Sequence, residues 1–327
     1  MTTKYSRRDF LKMVSASALV SILSEHFAFA ESTLPDTHTN AWSAGGSNFH
    51  AIYGEELLRE KFLLFLKNVY SIYPPEKFHS LILDMSRREL SDRDIYAMGQ
   101  HRLPEIKPLA GDLTYGLPAL FRQTHIVGAQ IETLLKNRNE INGYMEIGTK
   151  GGYISFAKSS LNLKGDIVLL NTESPSYGLI DIFERRSLFK GGRFVNLSNY
   201  LPIHPNDVAT ASLDVVCNPI GFHHSPPEFR DGFVRSIRRC LRDGGQLIVR
   251  DHDVSSTNMN HMVALAHDVF NMGLNKPWDY DQKEIRNFTT LIELKNYIEK
   301  FGFKSTGSDL YQEGDPTKNA LFSFVAV

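Results

Sequence analysis

Ser212-Leu213-Asp214-Val215-Val216-Cys217-Asn218-Pro219-Ile220-Gly221-Phe222-His223-His224-Ser225-Pro226-Pro227-Glu228 decides the fold, and it runs on through Phe233 and Ile237 to Leu241-Arg242-Asp243-Gly244-Gly245-Gln246-Leu247-Ile248-Val249-Arg250-Asp251-His252-Asp253. The apolar run Leu213–Val216 has the length of a buried strand, with Asp214 near its start. A helical pattern carrying Phe233 and Ile237 follows, and Gly244-Gly245 is expected to cap a helix ending near Leu241. Gln246–Val249 is a second short apolar run. Strand, helix and strand in that order make a parallel pair with its crossover. His223 and His224 follow the C-terminal end of the first strand, and Asp251-His252-Asp253 that of the second. Both polar clusters are therefore predicted to flank one crevice, where open α/β sheets bind ligands.

The same grammar extends outward. Tyr144–Ile147, Ile167–Leu170 and Arg193–Leu197 are further short apolar runs separated by helical segments. After the central block, Phe303–Leu310 and Asn319–Val327 are β-like runs joined through Glu313-Gly314-Asp315-Pro316, the pattern of a terminal hairpin. At the end of the first strand lies Glu146-Ile147-Gly148-Thr149-Lys150-Gly151-Gly152. Glycines there allow positive φ and close approach of a ligand, and a helix N-terminus supplies free N–H groups. Gly148 would make the turn, and Gly151 and Gly152 would open a helix through Ile154 and Ala157. Taken alone, the loop reads equally as a strand–helix turn with no ligand.

Upstream the pattern is helical over residues 49–140. Leu57, Leu58, Phe62, Phe65 and Leu66 recur at helix spacing, continued by Val69, Ile72 and Tyr73, and Pro74-Pro75 is expected to end that helix. Phe78, Leu81, Ile82 and Met85 mark a second helix, and Phe121 to Leu135 a later one after a loop from Pro108 to Leu117. This region reads as a helical cap on the following domain, residues 141–327. Residues 31–48, rich in Ser, Thr, Asn, Gly and Pro, read as a flexible linker. Residues 1–30 read as an address. Ser6-Arg7-Arg8-Asp9-Phe10-Leu11-Lys12 resembles the bacterial twin-arginine export signal. A short apolar stretch, Met13 to Leu23, and a small-x-small site at Ala28-Phe29-Ala30 follow, so cleavage would leave Glu31 first. The apolar stretch is too short for a stable membrane span. The resemblance implies a partner in the twin-arginine machinery and a periplasmic or secreted protein, with a cytoplasmic one as the alternative.

The ordered block resembles the type 11 pattern of class I S-adenosylmethionine-dependent methyltransferases. In that pattern a D-x-V strand leads to L-H-H, then a helix, then L-R-P-G-G before the fifth strand. Here Phe222 stands for the leucine of the first motif and Asp243 for the proline of the second. The resemblance covers residues 140 to 327 and implies a fold. That fold is an α/β, Rossmann-like methyltransferase sheet, mostly parallel with an antiparallel C-terminal hairpin strand, preceded here by the N-terminal helical cap. It also implies S-adenosyl-L-methionine as cofactor and methyl transfer to a small-molecule acceptor. In the family's [D/E]-x-G-x-G-x-G loop the glycine backbone supports the methionine end of the cofactor, and the acidic residue organises the loop. Glu146, Gly148 and Gly152 match, Lys150 stands at the middle glycine, and Gly151 is an extra glycine beside it. Asn171 or Glu173 falls where a ribose contact is expected, and Asn199 or Tyr200 where the family places an adenine contact. Each of the last two reads equally as part of a polar loop.

Methyl transfer is an in-line displacement that depends chiefly on positioning, with a base needed only for a protonated acceptor. His224 or His252 is the candidate base, with Asp251 as its orienter, and His223 the neighbouring loop residue. Tyr115, Phe121 and Trp278 are candidates for the substrate side or for core. A metal-dependent hydrolase is a rival reading, drawing on His223, His224, Asp251, His252, Asp253, His261 and His267. Adjacent His-His and Asp-His-Asp are not established ligand spacings, and residues six apart do not share a helical face, so no metal ligand is assigned. A third reading is an exported, non-catalytic binding protein of the same fold. It is favoured by Lys150 and by the cytoplasmic origin of the cofactor. The net charge is -1 and no long basic run occurs, so nothing asks for nucleic acid. Cys217 and Cys240 read as small core residues.

Overall fold

The computed structural model describes residues 47–327 except 89, 109–110, 155–157, 159–160 and 177–190. The expected export signal of residues 1–30, most of the expected linker and Ala157 lie outside the described residues.

The strands β1 (Ile141–Ile147), β2 (Leu163–Asn171), β3 (Arg193–Asn196), β4 (Leu213–Asn218), β5 (Leu241–His252), β6 (Phe303–Tyr311) and β7 (Asn319–Ala326) form one sheet in the order β3-β2-β1-β4-β5-β7-β6. β1 to β5 pair in parallel, whereas β7 is antiparallel to both β5 and β6. This is the mostly parallel, Rossmann-like sheet with an antiparallel terminal hairpin that the sequence pattern implies. The order of connection reverses between β1 and β4, and such a switch point opens a crevice at the C-terminal strand ends.

The central strands are buried on both faces, which is why they read as short unbroken apolar runs. Alternation assigns the faces. Tyr144 packs with Val215, Ile248 and Leu321 against the Val127, Ile131 and Leu135 stripe of a helix spanning Leu117–Leu135. Met145 and Ile147 turn to the other face, with Val216, Phe222, and Phe233 and Ile237 of the helix Pro227–Cys240. That helix passes directly into β5: Leu241 is already extended, with φ -77 and ψ 141. Gly244, at φ 74, sits where pairing skips from Leu213↔Leu241 to Val215↔Gln246. Gly244-Gly245 therefore shapes a strand irregularity rather than a helix cap. Asp251 and His252 are the last residues of β5, not residues beyond it.

Numbered along the chain, the helices are α1 (Asn48–Tyr53), α2 (Glu56–Phe65), α3 (Pro75–Ser86), α4 (Asp92–Ile106), α5 (Leu117–Leu135), α6 (Pro227–Cys240), α7 (Thr257–Gly273), α8 (Trp278–Lys283) and α9 (Leu291–Glu299). In α2 the buried stripe is Leu58, Phe62 and Phe65, while Leu57 is 57% exposed, off the face the spacing suggested. A π-turn at Leu66–Tyr70 extends α2, which stops at Ser71 in the left-handed region, φ 42. Pro75 then opens α3, where its missing N–H leaves no bond unmade, rather than ending α2. A second π-turn, Asp112–Gly116, occupies part of the expected loop before α5.

α7 completes the core of this helical module. Met262, Leu265, Val269 and Met272 join Phe49, Phe62, Tyr70, Phe78 and Tyr96 in one apolar cluster. Tyr70 donates to the Val269 carbonyl at 3.0 Å and Tyr73 to that of Gly273 at 3.2 Å. α5, by contrast, packs on the sheet. Trp278 stands edge-on to Tyr96 at 5.2 Å, within this cluster rather than at a substrate surface. Cys217 and Cys240 are buried and unbridged. Among the described residues no helix is long and apolar enough to cross a membrane.

Candidate functional site

The glycine turn begins where β1 ends. Gly148 and Gly151 have φ 77 and 95, a region that side chains resist, and a Cβ on Gly148 would overlap Ile220. Gly152, Tyr153 and Ile154 begin a helix. Beneath the turn Glu146 is fully buried, accepting from the Thr149 hydroxyl and, at 3.4 Å each, from the Tyr153 amide and the Tyr144 hydroxyl. Burial pushes its carboxyl up to about 7, against the opposing pull of these donors. Glu146 braces the loop from inside.

Lys150 fills the middle-glycine position with a buried side chain, and its Nζ meets Glu173 Oε2 at 3.2 Å. Asn171, at the end of β2, accepts from the Thr172 amide at 2.9 Å. Both ribose candidates are thus engaged by the protein itself, one by its own loop and the other by Lys150. After β3, Ser198, Asn199 and Tyr200 have φ 48, 53 and 62, three successive left-handed residues. Each such residue costs roughly 1–2 kcal/mol, and strain of this kind gathers at ligand sites. Asn199 is half-buried in the middle of this turn. Tyr200 is fully buried, edge-on to Phe233 at 5.3 Å, and belongs to the core rather than to an adenine site.

The ends of β4 and β5 converge as expected, but with different partners. His223 Nδ1 lies 2.6 Å from Asp251 Oδ1, so Asp251 orients His223 and neither His224 nor His252. The other Asp251 oxygen accepts from the Phe222 amide at 2.9 Å. His224 Nδ1 donates to the Ile285 carbonyl at 3.2 Å and His252 Nδ1 to the Thr317 carbonyl at 3.0 Å. Asp253 faces away, accepting from the Leu291 amide and the Tyr311 hydroxyl.

α7 and the segment after it add groups that no motif announced. His267 Nδ1 lies 3.3 Å from Glu284 Oε2, and its ring lies 5.4 Å from those of both His223 and His224. Arg286 is clamped by three buried carboxylates: Asp268 at 2.5 Å, Asp281 at 2.7 Å and Glu284 at 2.8 Å. The six-residue spacing of His261 and His267 assigns neither as a ligand. His261 bonds Asn48 at 3.0 Å and takes no part, while His267 is brought in by tertiary packing alone. Burial, reinforced by neighbouring positive charge, pushes His224 and His252 well below the ordinary histidine range. Burial would raise the Asp251 and Glu284 carboxyls, but the facing imidazoles, and Arg286 for Glu284, hold each at about 2.

The four imidazoles line one cavity of about 120 Å³ between the sheet and the helical module. Gly148, Thr149 and Tyr153 of the glycine turn line it together with His223, His224, His252 and His267. Phe65, Val69, Ile220 and Phe270 make its apolar walls, and Arg250, Asp315 and Asn319 its remaining polar edge. Tyr115, Phe121 and Trp278 are not among the lining residues.

A mostly parallel sheet with a glycine turn and a histidine cluster lining one cavity is what the strand order and the cavity define. No protein-family profile matches the chain, and no curated protein matches it. Solved structures do. CurJ carbon methyltransferase aligns over 94% of this chain and 90% of its own, with 14% identity and a TM-score of 0.44. The Burkholderia thailandensis 1,6-didemethyltoxoflavin-N1-methyltransferase, solved with its namesake ligand and S-adenosylhomocysteine, aligns over 64% of this chain and 79% of its own, at 12% identity and TM-score 0.43. The Synechocystis magnesium protoporphyrin IX methyltransferase with bound S-adenosylhomocysteine aligns over 64% and 86%, at 11% identity and TM-score 0.42.

Proposed function

We propose that the chain is an S-adenosylmethionine-dependent methyltransferase acting on a small molecule held between the sheet and the helical module. The observation that supports this most is that the Gly148-Thr149 turn and the four imidazoles line the same cavity at the switch point. S-adenosylmethionine would supply an electrophilic methyl group on sulfur. The left-handed Gly148 and Gly151 and the helix start at Gly152 suit its methionine end. Phe65, Val69, Ile220 and Phe270 keep water from the acceptor. His224, neutral and with its Nδ1–H held by Ile285, accepts a proton at Nε2 where the acceptor carries one. The Ser6–Lys12 motif supports action outside the cytoplasm, in the periplasm or beyond.

Calorimetry of the purified full chain with S-adenosylmethionine and S-adenosylhomocysteine tests the reading. Binding is expected for both, and Gly148→Arg, which drives a long side chain through Ile220, is expected to abolish it. No heat and no thermal shift with either ligand would remove the proposal.

The Lys150–Glu173 bridge favours a second reading, a binding protein of this fold without turnover. Opening a partly exposed ion pair costs up to about 1 kcal/mol, so Lys150→Ala is expected to tighten cofactor binding by roughly fivefold. A methylated product from any acceptor library would exclude the second reading.

A further inference from the structure

Four buried imidazoles share one tautomer. Nδ1 of His223 faces Asp251, that of His267 faces Glu284, and those of His224 and His252 face the carbonyls of Ile285 and Thr317. Each of these partners is an acceptor only, so each Nδ1 carries a proton, and in the neutral ring the lone pair lies on Nε2. An imidazole held from behind by a carboxylate or carbonyl is the arrangement that metal-bound histidine adopts. His223 Nε2 is buried with no hydrogen-bond partner, and His252 Nε2 meets only the Asn319 amide, at 3.2 Å. One nitrogen from each of His223, His252 and His267 lies within 4.8 Å of the others. Imidazoles sharing one tetrahedral ion through Nε2 at about 2.0–2.1 Å have ring centroids roughly 5 Å apart. The three rings here lie 5.6, 5.4 and 6.0 Å apart, so small side-chain rotations close the site.

Charge points the same way. Asp251, Asp268, Asp281 and Glu284 are buried around the cluster, and Arg286 is the guanidinium set among them. Asp251 and Glu284 face His223 and His267 directly, and a positive charge held by those imidazoles offsets the cost of burying the two carboxylates.

We propose that His223, His252 and His267 bind one divalent transition-metal ion, zinc-like in its preference for nitrogen, with Asp251 and Glu284 orienting two of the ligands. The remaining coordination position faces the cavity and takes an oxygen donor from water or a bound small molecule. His224 stays outside the triad, 4.0 Å ring to ring from His223. The site stands independently of the methyl-transfer reading, since its donors are fixed by α7 and the strand ends rather than by the glycine turn.

The test uses the full chain, stripped with a chelator, confirmed folded by circular dichroism, and titrated with zinc alone and with cobalt(II) alone. One equivalent of zinc by elemental analysis is expected, and cobalt(II) should give the visible absorption of a four-coordinate nitrogen-rich site. His223→Gln, His252→Gln and His267→Gln should each weaken zinc binding by about 100-fold or more, and Asp251→Asn by about 10- to 100-fold. His261→Gln, on the same helix but bonded to Asn48, should bind as the unmodified chain does. A folded chain that takes up no stoichiometric zinc, or three histidine variants that bind like the parent, would overturn the proposal. Zinc uptake without any S-adenosylmethionine binding would uphold it while removing the methyltransferase reading. Cofactor binding without zinc would do the reverse.

Discussion

Arg286→Leu is expected to lower the stability of the protein by about 3–5 kcal/mol, a fall in Tm of roughly 10 °C, measured by thermal and urea denaturation. The guanidinium bonds Asp268, Asp281 and Glu284 at once, through Nη1, Nη2 and Nε. Removing it leaves three buried carboxylates facing one another in a low dielectric. The effect should spread, because the same carboxylates hold other elements. Asn48 at the start of α1 donates to Asp268, and Asn271 of α7 donates to Asp281. Arg286→Lys should recover little of the loss, since an ammonium is a point charge that does not satisfy three carboxylates around a planar fork. A lysine variant as stable as the parent would show that charge alone, without the fork, holds this junction.

The second large effect is a pH dependence located at Glu146. Its carboxyl titrates at about 7 in the folded chain against an ordinary value of 4.5, because it is buried on the sheet. Below pH 4.5 both folded and unfolded chains hold the proton, and the group takes nothing from stability. As pH rises to about 7 the unfolded chain ionises first, and stability falls; above that the loss is complete, at about 3 kcal/mol. Glu146→Gln keeps an acceptor for Thr149 and the Tyr153 amide but cannot ionise. Denaturation from pH 4.5 to 8 should therefore show the variant losing less stability than the parent, with the difference growing through that window. Parallel curves for the two proteins would contradict this placement of the carboxyl.

Most of the fold was legible because its information is local. Parallel strands such as Leu213–Asn218 are buried on both faces, and a short apolar run followed by a helical pattern marks them well. The errors also have local causes. Pro74-Pro75 signals a helix boundary but not its side, and here Pro75 starts α3. Gly244-Gly245 signals a turn but not whether helix or strand contains it. The site was legible only in part. His223, His224, Asp251 and His252 announced themselves by position at strand ends. Their pairing did not, because a register in which Asp251 meets His223 depends on how β4 and β5 align in space. His267 and Glu284 sit in ordinary helical and loop sequence, and nothing within several residues of either distinguishes them from core or surface. Lys150 departs from the glycine pattern in the sequence itself, but its reach to Glu173 is a fact of three dimensions.

The helical module closes only when distant parts of the chain meet. Tyr70 bonds Val269, Tyr73 bonds Gly273 and Asn48 bonds Asp268, contacts 199, 200 and 220 residues apart. Such closure is slow, since the loop must form before the contacts reward it. During synthesis α1 to α4 emerge first and wait, with Phe62, Tyr70 and Phe78 uncovered, until α7 has left the ribosome behind five completed strands. Until then the apolar faces of α1 to α4 lack the helix that covers them. The docking of α7 on these helices is also what carries His267 into the cavity.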